Sequence, residues 1–294
     1  MNIGIFGSPY PEEKQGLIAH VFEKLVELDV GIYVEADFQR FLDTSAGLGF
    51  PVKGLLGKGD FDIEVALSLG GDGTFLRTAA RVGRQNIPIL GLNTGRLGFL
   101  ADLNADELDG MFEELCRGEY RIEERSLLQL EAEGGEKEET VGTYNYALNE
   151  VAVLKRDTSS MLTIHVSIDG ELLATYRADG LIVATPTGST AYSMSVGGPI
   201  LVPQSESLLL SPVAPHSLTV RPLVIPDNSK ISLRVESRSA YFLVALDGRA
   251  LVFRTDTPFS IRRADYTTRL IKRQGHTFYK TLRDKLLWGI DIRP

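Results

Sequence analysis

Residues 70–74, with the sequence Gly-Gly-Asp-Gly-Thr, are the first candidates for chemistry in this chain. They directly follow the apolar run Val65–Leu69 and precede residues 75–82, which have a helical pattern. Glycine lets backbone N–H groups approach a ligand closely, and the partial positive charge at a helix N-terminus suits a phosphate. Asp72 would repel a bare anion, but its carboxylate suits a general base for a hydroxyl or a partner for Mg²⁺ on a polyphosphate. The alternative interpretation is a tight turn in which Asp72 caps the helix.

A second glycine-rich turn, residues 93–99 (Asn-Thr-Gly-Arg-Leu-Gly-Phe), follows the predicted strand 87–92. Ligands of parallel α/β sheets bind beyond the carboxyl ends of the strands, so this turn is expected to form a second wall of the same site. Phe99 suits stacking on a base or ring, and Arg77 and Arg96 are candidate cations. An ordinary turn with Phe99 in the core is the alternative.

The pair Asn149-Glu150 interrupts the apolar run 146–154. Placing such a pair inside a strand is costly unless both side chains are hydrogen-bonded. A carboxylate accepts hydrogen bonds, and an amide both donates and accepts them, so the pair suits ribose hydroxyls or an adenine edge. A solvent-facing position on the strand is the alternative interpretation.

Residues 185–193 (TPTGSTAYS) are a dense cluster of hydroxyl-bearing and small side chains. They follow the predicted strand 181–184, which begins after Asp179-Gly180. Such a segment offers hydrogen bonds to sugar or phosphate and permits close backbone approach. A Ser/Thr-rich stretch is otherwise commonly a linker, but the apolar flanks and Tyr192 favour a binding site here.

Two common nucleotide-binding motifs are absent from the sequence. No Gly-x₄-Gly-Lys-[Ser/Thr] occurs, which argues against a P-loop enzyme. No Gly-x-Gly-x-x-Gly follows the first strand, which argues against a Rossmann dehydrogenase.

The elements that must position these residues differ along the chain. Strands alternating with helices in residues 1–120 predict an α/β domain with a parallel sheet. Strand-like runs and turn signals in residues 121–267 predict a mostly β, sandwich-like domain. Its predicted strands include 147–154, Leu162–Ile168, 218–224 and Tyr241–Leu246. Residues 268–294 return to helical spacing and are expected to pack back on the first domain.

Composition restricts the class of protein. Hydrophobic residues make up 43% and charged residues 24% of the 294, as in globular proteins, and the net charge of −8 argues against a nucleic-acid partner. No apolar run reaches the roughly 18 residues that would suggest a membrane span. The first residues, MNIGIFGSPYPEEK, contain no basic region followed by a long apolar stretch, so a secretory signal is not expected. Cys116 is the only cysteine, so an intramolecular disulfide is impossible; it lies in a predicted amphipathic helix and is expected to be buried. These observations predict a cytoplasmic location and no membrane association.

Taken together, the motifs resemble the NAD kinase family. The matching stretches are GGDGT at 70–74, NTGRLGF at 93–99, NE at 149–150, DGLIVATPTGSTAYS at 179–193, GGP at 197–199, APHSLTVRPLVIP at 214–226 and LDG at 246–248. A bare GGDG also occurs in phosphofructokinases and lipid kinases, whereas the 185–193 stretch is far more specific. The resemblance implies an N-terminal α/β domain, a C-terminal β-sandwich-like domain and an active site in the cleft between them.

The resemblance also implies roles for individual residues. Asp72 would be the catalytic aspartate. The residues expected to bind NAD are Gly71, Gly73, Phe99, Asn149, Glu150, Asp179, Thr187, Thr190, Ala191, Tyr192, Ser195, Ala214 and Asp247. Those expected on the phosphate or ATP side are Gly70, Thr74, Arg77, Asn93, Thr94 and Gly95. Ala214 and Asp247 would come from neighbouring subunits or loops, in a homo-oligomer of two or four chains.

The implied reaction moves a phosphoryl group to the 2′-hydroxyl of the adenosine ribose of NAD. The donor would be ATP, another triphosphate or polyphosphate, with Mg²⁺ or another divalent ion as cofactor and no residue assigned as its ligand. Asp72 would take the hydroxyl proton, while positioning and charge neutralisation would contribute more than proton removal. Alternatives are a lipid or sugar kinase that shares the GGDG motif and a non-catalytic dinucleotide sensor.

Overall fold

The structure, a computed structural model, describes residues 1–46, 49–95, 98–132, 144–157, 161–255 and 257–289. The chain forms two compact units. Unit 1 comprises Met1–Glu124 with Thr268–Pro294, and unit 2 comprises Arg125–Thr267. The division into residues 1–120, 121–267 and 268–294 stays a prediction.

Helices and short helical turns are distributed over both units. The helices are α1 (Gln15–Glu27), α2 (Ala36–Phe41), α3 (Asp72–Val82), α4 (Leu108–Arg117), α5 (Tyr192–Ser195) and α6 (Phe278–Leu286). Short 3-10 turns occupy Glu12–Lys14, Gly83–Gln85, Ala105–Glu107 and Thr187–Thr190, and Leu42–Ala46 forms a π turn.

The strands are numbered in chain order. They are β1 (Asn2–Gly7), β2 (Gly31–Glu35), β3 (Gly54–Leu56), β4 (Val65–Leu69), β5 (Ile89–Leu92), β6 (Tyr120–Ala132), β7 (Tyr146–Ala147), β8 (Glu150–Leu154), β9 (Leu162–Ile168), β10 (Glu171–Ala178), β11 (Gly180–Ala184), β12 (Ser207–Val213), β13 (Leu223–Pro226), β14 (Ile231–Glu236), β15 (Tyr241–Leu246), β16 (Arg249–Arg254) and β17 (Phe259–Arg273).

Unit 1 is an α/β unit with a parallel sheet, as predicted. Its strands lie in the order β3-β2-β1-β4-β5, and every neighbouring pair is parallel. The end of β17 extends the sheet beyond β5, where Leu270 pairs with Ile89. The apolar residues of helix α1 recur with the 3.6-residue period that is typical of a helix with one buried face, and Ile18, Val21 and Phe22 are among those that are buried. The carboxyl ends of β4 and β5 therefore lie side by side.

Unit 2 is mostly β, which confirms the second part of the predicted fold. Six antiparallel strands lie in the order β13-β12-β11-β8-β15-β16. Another antiparallel ladder contains β10, β9, β14 and β17. Their alternating side chains, such as Val151, Ile164 and Phe242, share one buried cluster, as in a sandwich of two sheets.

Three predictions about local structure are wrong. The run 218–224 is a strand only from Leu223 onward, and Leu218 is 92% exposed. The predicted strand 147–154 is two strands, because the chain turns at Leu148 and Asn149 before β8 begins. Cys116 is exposed, since the buried stripe of α4 passes through Leu108, Met111, Phe112 and Leu115 instead.

Among the described residues, no helix is both long enough and apolar enough to cross a lipid bilayer.

Candidate active site

The turn between β4 and α3 is built around Gly70. Its φ of +154° lies in a region that side chains rarely adopt, and a Cβ there would come within 2.3 Å of the Thr74 hydroxyl oxygen. The Gly70 N–H donates to the Leu92 carbonyl, which ties the end of β4 to β5. The Gly71 carbonyl then accepts from Thr74 and Phe75 and starts the helix. The glycines therefore place Asp72 at the first residue of α3.

The Asp72 carboxylate accepts three backbone hydrogen bonds from the second glycine-rich turn. Phe99 N–H donates to Oδ2 at 2.9 Å, and the N–H groups of Leu100 and Ala101 donate to Oδ1 at 3.1 Å. A Cβ on Gly98 would lie 1.9 Å from Oδ1, so this approach needs glycine at 98. The two predicted turns thus form one site, although Arg96 lies outside the described residues.

Helix α6 brings a cation to the same carboxylate. Nζ of Lys285 lies 3.7 Å from Asp72 Oδ2 and 4.4 Å from the centre of the Phe99 ring. The Asp72 and Lys285 side chains remain 31% and 28% exposed, so the pair is accessible from solvent. Phe99 itself is buried, and its ring also neighbours that of Phe278 at 6.3 Å.

Thr74 and Arg77 join a small polar network on the first turn of α3. The Thr74 and Ser8 hydroxyl oxygens are 2.9 Å apart, and Arg77 donates to both of them. Ser8 follows β1, so two neighbouring segments of unit 1, the turn after β1 and the first turns of α3, contribute to this network. The sequence did not single out Ser8, although it also follows a parallel strand at the same edge of the sheet.

Asn93 begins the turn after β5 and is buried. Its Oδ1 accepts from the Gly95 N–H at 2.8 Å, which shapes the turn around Thr94. Its Nδ2 has no hydrogen-bond partner among the described residues. A buried donor without a partner suits an incoming acceptor such as a phosphate oxygen.

A buried ion pair follows directly on the residues that hold Asp72. Nζ of Lys272 lies 2.6 Å from Oδ2 of Asp102, with exposed fractions of 5% and 11%. Nδ1 of His276 approaches the same oxygen at 3.2 Å. This contact fixes the chain one residue beyond Ala101, so it helps to set the direction of the N–H groups that Asp72 uses.

In unit 2, Asp247 makes a second set of three backbone hydrogen bonds. Its Oδ2 accepts from Leu148 N–H at 2.7 Å, and its Oδ1 accepts from Asn149 and Glu150 N–H at 2.8 and 3.1 Å. Asp247 has φ +47° and precedes Gly248 in the turn from β15 to β16. Burial raises the pKa of Asp247, and the three N–H donors act against that rise.

Glu150 is buried beside this carboxylate. Burial is the largest cause that raises the pKa of Glu150 to about 7, the nearby Asp247 charge adds to it, and the Tyr192 N–H donor opposes it. Oε2 of Glu150 has no hydrogen-bond partner among the described residues. Oε2 of Glu150 can therefore accept a hydrogen bond from a ligand hydroxyl, or donate one when the carboxyl group is protonated.

The hydroxyl-rich segment folds tightly against Asn149. Thr185 Oγ1 donates to the Leu148 carbonyl at 2.6 Å and accepts from the Gly188 N–H at 3.1 Å. A Cβ on Gly188 would lie 2.0 Å from the Asn149 carbonyl oxygen, so only glycine permits this approach. Thr185 was not among the predicted binding residues, although it opens the segment.

The remaining predicted hydroxyls take part in local hydrogen bonds. Thr187 accepts from Arg125 at 3.2 Å, and Thr190 donates to the Thr187 carbonyl at 3.1 Å. Ser195 donates to the carbonyl of Tyr192, whose side chain is 37% exposed. Each hydroxyl oxygen still has lone pairs with which it could accept from a ligand.

Two predicted residues lie apart from this group. Asp179 pairs with Lys155 at 2.8 Å, and its N–H donates to the Val213 carbonyl next to Ala214. Asp179 precedes β11 and Ala214 follows β12, whose last residue, Val213, pairs with Gly180 at the start of β11. Thr187 instead follows the other end of β11. A strand of this length separates them by roughly 17 Å. An extended ligand could reach both ends, but a single nucleoside could not.

Comparison with known proteins assigns the chain to a family. Residues 3–120 match the family model of the ATP-NAD kinase N-terminal domain, and residues 148–273 match that of the ATP-NAD kinase C-terminal domain. NAD kinase of Bacteroides fragilis is 50% identical over 293 residues, which is 100% of both chains. NAD kinase of Porphyromonas gingivalis is 43% identical over 99% of both chains. The chain belongs to the NAD kinase family.

Two solved NAD(H) kinase structures resemble this one. Archaeoglobus fulgidus NAD kinase in complex with ATP has a TM-score of 0.76 and 25% identity, covering 98% of this chain and 99% of the other. Yeast NADH kinase complexed with NADH has a TM-score of 0.85 and 23% identity, covering 100% and 89%, and shows the shared fold alone. The family predicted from the motifs is thereby confirmed.

Three residues that contact the predicted site, or hold it in place, were not predicted from the sequence. Lys285, Asp102 and Lys272 were not singled out from the sequence. Lys285 lies beyond the residues that the two family models match. A signal was present in its spacing, because Phe278, Leu282 and Lys285 fall on one face of a helix.

Proposed function

We propose that this chain transfers a phosphoryl group from ATP to the 2′-hydroxyl of the adenosine ribose of NAD, giving NADP. The observation that carries the proposal is the Asp72 carboxylate, which three N–H donors hold at the start of α3 in a member of the NAD kinase family. A lipid or sugar kinase shares only the GGDG turn, and no contact described above favours either.

Asp72 would act as general base. The ribose 2′-oxygen attacks the γ-phosphorus, the bond from that phosphorus to the β,γ-bridging oxygen breaks, and ADP leaves. The proton of the 2′-hydroxyl passes to Asp72. Such proton transfer contributes about 10²–10⁴-fold, and the loose transition state places more weight on positioning. The three N–H bonds suit this role because they fix the direction of the carboxylate.

Unit 2 carries groups that suit the adenosine of NAD. The partnerless Oε2 of Glu150 is an acceptor for a ribose hydroxyl, and the amide of Asn149 can both donate and accept. The residues proposed to complete NAD binding are Gly71, Gly73, Phe99, Asp179, Thr187, Thr190, Ala191, Tyr192, Ser195, Ala214 and Asp247. Because Asp247 already accepts three N–H groups, its proposed contribution is to shape residues 148–150.

The triphosphate is proposed to meet the N–H groups and cations of unit 1. Asn93 offers a buried hydrogen-bond donor, and Arg77 offers a positive charge. Gly70 and Thr74 in the turn after β4, and Thr94 and Gly95 in the turn after β5, would surround the phosphates. The described residues contain no cluster of three or more His, Cys, Asp or Glu side chains that could enclose a metal ion. Mg²⁺ typically keeps several waters and binds one or two carboxylates plus substrate phosphates, so the donor set fits a metal ion held mainly by ATP. Bound there, the ion would neutralise triphosphate charge.

An assay of NADP formation tests the proposal directly. Purified protein is given NAD with ATP, with inorganic polyphosphate or with no donor, each with and without Mg²⁺, and NADP is measured with an NADP-specific dehydrogenase. We expect NADP with Mg²⁺ and ATP. A diacylglycerol or fructose 6-phosphate phosphorylated in its place would contradict the proposal, as would NAD binding without product. Light scattering would test the predicted homo-oligomer.

The variant Asp72→Asn tests the base. We expect NADP formation to fall about 10²–10⁴-fold, because the amide cannot take the proton, while NAD binding by calorimetry stays within a few-fold of wild type. The control is Asp60→Asn, which removes an exposed carboxylate of the same unit and should leave turnover unchanged. Wild-type turnover in Asp72→Asn would exclude the base role.

A further inference from the structure

The acidity of this protein sets a requirement at the reacting phosphate. The net charge is −8, and Asp72 adds a negative charge where a triphosphate must approach. Phosphoryl transfer depends on cations aimed at the oxygens of the transferring group. Arg77 is engaged with Ser8 and Thr74 on the side of the turn after β1. A second cation placed directly at Asp72 would meet the requirement.

Lys285 has that position. Its Nζ lies 3.7 Å from Asp72 Oδ2, which is an ion-pair distance but longer than a hydrogen bond. Oδ2 already accepts from Phe99 N–H, and Oδ1 from Leu100 and Ala101. An ammonium carries three N–H donors, and neither the 3.7 Å contact nor the Phe99 ring face takes one up at normal hydrogen-bond length. Lys285 therefore retains capacity to donate to an oxyanion beside the carboxylate.

The placement of Lys285 follows from the helix that carries it. Thr277 caps α6 by accepting from the Lys280 N–H at 3.2 Å. Phe278 lies against Phe99, Leu282 is buried one turn later, and Lys285 comes another turn on. Residues spaced 4 and 3 apart lie on one helix face, so the docked apolar face delivers the ammonium to Asp72. The cation is thus held by the packing of α6 and not by the ion pair alone.

We propose that Lys285 is a catalytic residue whose ammonium binds the non-bridging oxygens of the transferring phosphoryl group beside Asp72. The proposal rests on the proposed function, since it takes Asp72 as the base. A lysine that only formed an ion pair with Asp72 would stabilise the turn but would make no contact with the phosphoryl donor.

The first test compares turnover in two variants at one lysine. In Lys285→Met we expect kcat to fall about 10²-fold, as on removal of one group that stabilises transition-state charge, with KM for NAD within twofold of wild type. Lys285→Arg keeps the charge and N–H donors, so it should recover most of that loss. The control Lys280→Met removes an exposed lysine of the same helix and should leave kcat unchanged.

The second test is chemical rescue. Lys285→Ala leaves room for a small amine, so added methylammonium should raise its kcat in proportion to concentration at fixed ionic strength. Tetramethylammonium has the charge without an N–H donor and should not do so. Rescue of Lys285→Ala, with no effect on Lys280→Met, would support the proposal.

The outcomes separate the two hypotheses. A kcat of Lys285→Met within twofold of wild type, or an equal loss in Lys285→Arg with no rescue by methylammonium, would overturn the role of Lys285 and leave the NAD kinase proposal standing. Wild-type protein that makes no NADP would overturn the proposed function itself. Thermal unfolding of each variant identifies any loss that comes from misfolding.

Discussion

Asp72 in unit 1 and Asp247 in unit 2 are held in the same way but in different surroundings. Each carboxylate accepts hydrogen bonds from three consecutive backbone N–H groups, residues 99–101 in the first case and residues 148–150 in the second. Both arrangements include a glycine that close contact requires, Gly98 against Asp72 and Gly188 against Asn149.

The neighbours of the two carboxylates differ in charge. Asp72 is 31% exposed and faces the ammonium of Lys285. Asp247 lies beside Glu150, and burial raises the pKa of both carboxyl groups. The same hydrogen bonds therefore hold Asp72 where solvent can reach it, whereas they make the buried Asp247 a structural support for residues 148–150. The comparison teaches that the groups around a held carboxylate, more than the hydrogen bonds that hold it, decide its use.

The two sets of N–H donors are also anchored differently. In unit 1 the chain continues from Ala101 into Asp102, which Lys272 binds in a buried ion pair. In unit 2 the Leu148 carbonyl accepts from the Thr185 hydroxyl. Removing one partner of a buried ion pair leaves an uncompensated charge, so the unit 1 anchor is the more sensitive to mutation.

The largest expected effect is therefore that of Lys272→Met. Because it leaves the buried Asp102 carboxylate with only the His276 ring beside it, we expect it to lower the free energy of unfolding by about 3–5 kcal/mol, as measured by urea denaturation. The neighbouring Arg273→Met breaks an ion pair with Glu114 whose arginine is 37% exposed and should cost about 1 kcal/mol or less. Equal losses in the two variants would show that burial of the Lys272 pair is unimportant.

The next effect concerns pH and Glu150. The pKa of Glu150 is about 7 in the folded chain against an ordinary value of 4.5, so between these values the folded state keeps a proton that the unfolded chain has lost. Its stabilising contribution is complete below about pH 4.5 and is lost as the pH rises through about 7, a change of roughly 3 kcal/mol.

Glu150→Gln should remove this part of the pH dependence and be more stable than wild type at pH 8. Urea denaturation at pH 5, 6, 7 and 8 measures how the free energy of unfolding changes with pH in the variant and in wild type. Glu171→Gln removes an exposed carboxylate from the same unit and serves as control. A Glu150→Gln curve parallel to wild type across this range would contradict the assignment.

The smallest effect is expected from Asp247→Asn. An amide has one acceptor oxygen, so at least one of the three N–H groups loses its partner, at a cost of about 1–3 kcal/mol. Measurement at pH 5, where Glu150 is protonated, separates this loss from relief of charge repulsion. Asp169→Asn is the matched control, because Asp169 occupies a similar Asp-Gly turn with φ +51° but accepts one N–H, from Lys230. A loss no larger than that of Asp169→Asn would show that the three bonds add nothing.

Much of the fold could be predicted because the signals were local. Apolar residues that recur at every second position indicate strands such as Leu162–Ile168, and those that recur every 3.6 residues indicate helices such as α1. Each of these elements buries its own apolar face. The segment 218–224 was mispredicted as a strand because apolar residues such as Leu218 are exposed there, and periodicity records residue type and not burial.

The sequence by itself determined the family, the fold class and the glycines around Asp72, since these depend on residue types at fixed short spacings. Tertiary structure alone decided which distant groups meet the two carboxylates. Lys285 reaches Asp72 across 213 positions of sequence, and Asp247 reaches residue 150 across 97. Such contacts form because packed strands and a docked helix bring them together, and neither propensity nor periodicity carries information about partners so far apart in the chain.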